Sequence, residues 1–236
     1  PQVLEGASQL LEQLPLVKTL VNALLGTEVG DQITARTMQA VLWVHPVVLA
    51  LIWGHEISFC TRLPAGEIDR GTVDILLSWP VSRRLVYVSE SIVWLLSGMF
   101  LIGMGLLGHR LTAPTMPDDM RPDLGSATLV MLNLFCVYLA VGGIAFLVSA
   151  CSDRRGRAVA VVFALLLASF LLTFLAQFWD PAKHIAFLSI MEHYQPAKIL
   201  GSGRLPWADV LVLLVVGAVT WLCGCEIVAR RSICTR

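Results

Sequence analysis

Charge is scarce in this chain. Of 236 residues 14% are charged and 56% hydrophobic, where an ordinary soluble domain has about 25% and about 45–50%. Seventeen Lys and Arg cancel seventeen Asp and Glu, so no basic excess exists to neutralise phosphates, which argues against a nucleic-acid partner. The six cysteines, Cys60, Cys136, Cys151, Cys223, Cys225 and Cys234, lie in or beside apolar stretches without the even spacing of a secreted disulfide framework, and read as reduced thiols. No cationic n-region followed by a short apolar run marks a signal peptide, no repeat has solenoid period, and no tract is of low complexity. Nor does any apolar run alternate with polar residues as a barrel strand does.

What is present is length of apolar run. Five stretches, near 38–58, 90–108, 126–150, 158–179 and 208–229, reach the roughly twenty residues that a helix needs to cross the hydrocarbon. Backbone groups in lipid must be satisfied within the segment, so these are helices. The expected fold is all-α, a polytopic transmembrane helical bundle forming a single transmembrane domain over 1–236. His45-Pro46 falls inside the first run and predicts a kink.

Basic residues set the orientation. Arg62, Arg70, Arg83 and Arg84 follow the first span, Arg154, Arg155 and Arg157 crowd one short turn, and Arg230, Arg231 and Arg236 close the chain, ten of the seventeen basic residues. By the positive-inside rule these segments are cytoplasmic, with the C-terminus inside and residues 1–37 outside. A multi-pass protein of the inner (cytoplasmic) membrane is expected. An external start without a signal suggests one further helix before Pro1, giving six spans in the full-length subunit. Residues 1–25 place Leu4, Ala7, Leu10, Leu11 and Leu14, then Val17, Leu20, Val21, Leu24 and Leu25 at helical spacing, which predicts an external amphipathic segment. The prolines of 109–125 read as an outer turn region, and 178–206, with Pro181, Pro196 and Pro206 around an apolar Ile185–Met191 run, as an external re-entrant or interfacial segment.

The cytoplasmic loop 59–89 is too long for a turn. Within it Val73, Leu76 and Leu77 fall at i, i+3 and i+4, Thr72 stands at the N-cap position, Asp74 lies in the first turn, and Pro80 stops the pattern. A short helix follows, with an apolar and a charged face for a soluble partner.

These residues resemble the ABC-2 type permeases, membrane subunits of ATP-binding-cassette transporters. Glu67, Gly71, Thr72, Asp74, Leu76, Leu77, Ser78, Pro80, Val81, Ser82 and Arg83 match, in register, that family's loop of an acidic residue, Gly-Thr, an acidic residue, Leu-Leu-Ser, and Pro-Val-Ser-Arg. The turn Ser149–Arg155, with Asp153, Arg154 and Arg155, resembles the second cytoplasmic loop. Ala229-Arg230-Arg231-Ser232-Ile233 resembles the basic C-terminal signature, with Ser232 where the family often has Asp.

The resemblance implies a permease, an exporter more than an importer, that pairs with a second permease subunit, identical or related. A separate ATP-binding subunit binds the coupling helix through Glu67, Asp69, Gly71, Thr72, Asp74, Leu76, Leu77, Pro80, Arg83 and Arg84. None of Lys18, Lys183 and Lys198 follows a glycine, so the chain has no P-loop; it is expected to be no enzyme and to hold no cofactor or metal, with ATP and Mg bound by the partner. A haem-exporter-type permease of cytochrome maturation shares an acidic, Gly and Pro loop, although the Pro-Val-Ser-Arg ending fits it less well. From other classes, a membrane anchor or sensor leaves the ordered loop helix unexplained, and an intramembrane enzyme or ion site needs clustered acids or histidines.

Single residues carry less. Glu56, beside His55 near the end of the first span, is a proton or ion site, or an edge residue that reaches water or an arginine. His45 lines the path or packs beside the kink. Glu226 and Arg230 are spaced to pair. Cys223 and Cys225 point about 200° apart on a helix, too far for one ion, and His184, Glu192 and His193 lack a recognised ligand spacing. Gly98, Gly103, Gly105 and Gly108, and Gly142 and Gly143, permit close helix approach.

Overall fold

The computed structural model describes residues 35–116, 121 and 123–232. The external amphipathic segment expected over 1–37 lies outside the described residues except for its last three positions, which begin a helix. In chain order the helices are α1 (Ala35–Val44), α2 (Pro46–Cys60), α3 (Glu67–Arg70), α4 (Val73–Leu77), α5 (Arg83–Thr112), α6 (Leu124–Cys151), α7 (Arg155–Leu175), α8 (Asp180–Ile185), α9 (Pro196–Ser202) and α10 (Trp207–Arg230). Among the described residues there is no strand. Five helical stretches are long and apolar enough to cross a membrane: Gln39–Cys60, Arg83–Thr115, Leu124–Cys151, Arg155–Leu175 and Trp207–Arg230. The fold is an all-α polytopic bundle, as the five apolar runs require.

The kink at His45-Pro46 separates α1 from α2. Pro46 has no amide to donate, and the His45 ring Nδ1 instead accepts a hydrogen bond from the Val47 amide at 3.3 Å. The second spanning helix begins at Arg83, seven residues before the apolar run. Its charged first turns are held: Arg83 donates to the Arg231 carbonyl, Arg84 pairs with Glu226 at 2.7 Å, and Glu90 pairs with Arg62. The loop is shortened accordingly to 61–82. α6 is the most buried of the five spans.

The described residues divide into two compact units. One comprises residues within 1–50, 102–134 and 169–210. Its core holds Trp43, Val130, Leu134, Tyr194 and Ile199, all buried. Tyr194 donates its hydroxyl to the Trp43 carbonyl at 3.0 Å. Asn133 donates to the His193 carbonyl at 3.2 Å and accepts from the Gln195 amide at 3.3 Å. His193 also faces Asp209 at 2.8 Å. Ser189 meets Ser169 and Thr173 at 2.8 and 2.7 Å. These bonds satisfy polar groups that would otherwise be costly among apolar neighbours. They also fold the 178–206 segment into α8, α9 and two single turns, leaving Phe187 and Leu188 exposed.

The other unit comprises residues within 51–101, 135–168 and 211–236. An aromatic stack fills it. Trp94 lies on Tyr138 with ring centroids 4.9 Å apart and planes 10° from parallel, while Tyr87 touches both Phe146 and Trp221. Glycines admit these rings and bring helices together. A Cβ at Gly142 would run into the Trp94 indole, at Gly98 into the Tyr138 ring, and at Gly143 into the Gly217 carbonyl. Close approach was expected of Gly103 and Gly108 as well, but nothing lies within 4 Å of a Cβ at either.

Candidate functional site

The residues singled out between the first two spans converge on one structured segment. After α2 the Thr61 hydroxyl donates to the Ile57 carbonyl at 2.6 Å, and a wide turn over Arg62–Gly66 carries the chain back toward the bundle. Ser149, fully buried on α6, pins that turn. Its hydroxyl donates to the Leu63 carbonyl at 3.0 Å and accepts from the Ala65 amide at 3.3 Å. The turn packs closely at Gly66, where a Cβ would meet the Arg155 side chain at 3.3 Å.

Two short helices follow. α3 ends at Gly71, whose φ of 70° is left-handed, a conformation glycine adopts without a Cβ penalty. α4 starts after Thr72 and stops before Pro80, at the expected positions. The capping differs: no side-chain cap bond forms at Thr72, whose hydroxyl turns back to donate to the Glu67 carboxylate. Glu67 also pairs with Arg70. Val73 is buried and Leu76 half-buried over a small hollow shared with Leu63, Val86 and Val228. The side chain of Leu77 lies outside the described residues. Asp74 and Pro80 are exposed.

Three bonds beyond the Ser149 pin fasten this segment. The Arg155 amide, at the start of α7, donates to Asp69 at 3.2 Å, and the Arg155 guanidinium donates to the Ser58 carbonyl at 2.9 Å. Arg62 makes a two-pronged bond to Glu90 on α5, at 3.0 and 2.9 Å. The Glu90 hydrogen bond holds the Arg62 guanidinium above its ordinary range. Arg62 also sits over the Phe59 ring at 4.8 Å.

The chain end joins the same region. Arg231 donates to the Ala150 carbonyl at 2.6 Å and pairs with Asp153, while its own carbonyl accepts from Arg83. Glu226 pairs with Arg230, as its spacing suggested, and with Arg84.

The outward surface differs from the one the sequence pattern implied. Ile75 and Trp79, four residues apart, are each 66% exposed, and Val81 is exposed beside them. The i, i+3, i+4 pattern drew attention to Val73 and Leu76, which face inward; the complementary i, i+4 pair was the available signal.

The remaining candidates separate. Glu56 neither reaches water nor meets an arginine. It is fully buried, and both carboxylate oxygens lack a hydrogen-bond partner among the described residues. Neighbouring His55 instead faces the Tyr138 hydroxyl at 3.4 Å. His45 is exposed. His193 pairs with Asp209 and His184 bonds the Asp180 carbonyl, so the two are not brought together.

No curated protein and no solved structure matches the chain. A family model does, over residues 2–227, described as the multidrug efflux system permease Rv1217c, C-terminal domain. Matched over nearly its whole length, and with five membrane-spanning helices of the kind a permease needs, the chain belongs to the family of the C-terminal domain of the multidrug efflux permease Rv1217c.

Proposed function

We propose that this permease-family chain is the membrane domain of an ABC-2 type exporter, driven by ATP hydrolysis in a separate ATP-binding subunit. The observation that carries the reading is the exposed Ile75 and Trp79 surface on a segment braced to three spanning helices. Large apolar side chains held outward on a rigid support are what a docking surface requires. The Arg-rich segments place this surface on the cytoplasmic side of the inner membrane, where the ATPase resides. The efflux named for the matched family favours export, with drug-like compounds as the substrate class.

In this reading a movement of α4 is delivered by three routes: Ser149 to α6, Arg155 with Asp69 to α7, and Arg62 with Glu90 to α5. The nucleotide cycle shifts the bundle between access states only as far as the ATPase binds those states unequally. A second permease subunit completes the assembly.

The test is copurification in mild detergent from the native membrane, followed by an ATPase assay of the eluate. The intact chain brings down a nucleotide-hydrolysing subunit, and Ile75→Asp with Trp79→Ala loses it while the permease stays monodisperse. If no ATPase is captured even by crosslinking from Trp79→Cys, the reading fails.

A further inference from the structure

In the unit formed by residues within 51–101, 135–168 and 211–236, a cleft of about 370 Å³ opens between α5, α6 and α10. We propose that it is a binding site for an uncharged, ring-bearing apolar small molecule carrying a hydrogen-bond acceptor. The inference goes beyond the permease reading, because it requires binding and not transport.

The walls decide the chemistry of the guest. No Asp, Glu, Lys, Arg or His lines the cleft, so a charged guest would leave its charge uncompensated among apolar groups. Trp94 and Trp221 contribute large flat surfaces, which suit an aromatic or polycyclic partner. Ser91, the hydroxyl in the wall, is already committed: it accepts from the Trp221 indole at 2.8 Å and donates to the Tyr87 carbonyl at 2.8 Å. Trp94 differs. It is 5% exposed, and its buried indole N–H has no hydrogen-bond partner among the described residues. A guest carbonyl or ether oxygen supplies what that donor lacks.

Size and support argue for a small guest. The volume falls within the usual range for ligand pockets, about 300–1,000 Å³. One turn of a helix about 10 Å across occupies roughly 400 Å³, so the cleft cannot seat a helix of a second copy. Its floor is preformed. A Cβ at Gly217 would lie 2.8 Å from the Leu139 carbonyl oxygen, so backbone rests on backbone there. Ala218, on the rim, is exposed and has room for a larger side chain.

The experiment is photolabelling of the full chain in lipid nanodiscs with benzophenone, an uncharged aromatic ketone, followed by peptide mapping. Label is expected to concentrate on peptides covering 88–95, 139–143 and 214–221, and to fall about tenfold in Ala218→Phe. Leu214→Trp, on another wall, serves the same purpose if Ala218→Phe proves unstable. Fluorenone should compete at lower concentration than fluorene, which lacks the acceptor, and tetraphenylphosphonium should not compete. Label spread in proportion to lipid exposure and indifferent to both substitutions would overturn the proposal. So would equal competition by the cation, equal competition by fluorene, or loss of cleft label only when a second copy or the lipid acyl chains cover it.

Discussion

Replacing Gly217 by Ala tests the packing of α6 against α10 most directly. A Cβ there would lie 2.8 Å from the Leu139 carbonyl oxygen, 3.0 Å from its carbon and 3.2 Å from the Ala140 Cα. All three atoms belong to the backbone, so no side chain can swing aside. Ordinary contact begins at 3.4 Å, and 3.4 less 2.8 leaves about 0.6 Å to be found by parting the helices. A radial gap of about 0.5–1 Å forfeits a quarter to a half of each neighbouring dispersion contact, and overpacking of this kind costs about 1–3 kcal/mol. Gly103→Ala is the control. Nothing lies within 4 Å of that Cβ, so only the gain in helix propensity remains, about 0.5–1 kcal/mol. The same chemical change should therefore move stability in opposite directions, with a separation of about 2–4 kcal/mol. Equilibrium unfolding of both variants by SDS in mixed micelles measures it. If Gly217→Ala is as stable as Gly103→Ala, the close helix contact is not there and the reasoning is refuted.

Three further outcomes are expected. Ser149→Ala strands the Leu63 carbonyl and the Ala65 amide, costs about 2 kcal/mol, and speeds tryptic cleavage at Arg62 and Arg70; an unchanged cleavage rate counts against the pin. Glu56→Met exchanges a fully buried, unpartnered carboxylic side chain for an apolar one of similar length and should raise stability by about 1 kcal/mol or more; a loss would reveal a partner or a bound ion at Glu56. A double-mutant cycle on Arg62 and Glu90, whose side chains are 48% and 12% exposed, should give a coupling of about 0.5 kcal/mol that weakens in high salt; a coupling near zero in low salt would mean the pair is not formed.

The spans were legible because twenty apolar residues in a row leave the backbone few other choices, and the break at His45 because Pro46 removes a donor. The start of α5 was not. Arg83, Arg84 and Glu90 interrupt the apolar run, and their partners, Arg231, Glu226 and Arg62, lie between 28 and 148 residues away. The short helix α4 was visible in its punctuation, Gly71 before it and Pro80 after it, while the role of Thr72 was misjudged because its hydroxyl had two acceptors to choose from. Glu56 shows the limit most plainly. Its place at a span end suggested access to water, and only the packing around it shows that none is available.

The bonds of Arg231 bear on the order of assembly. Its partners lie 78 to 148 residues earlier in the chain, so the contact cannot form until the last helix has left the ribosome and entered the bilayer. Until then Arg83 and Asp153 wait without it. Contacts of such long sequence separation are the late, slow closures of a folding chain. A nascent chain halted just short of Arg231 therefore has every span it will own and still lacks the fastening between its first loop, its middle turn and its tail.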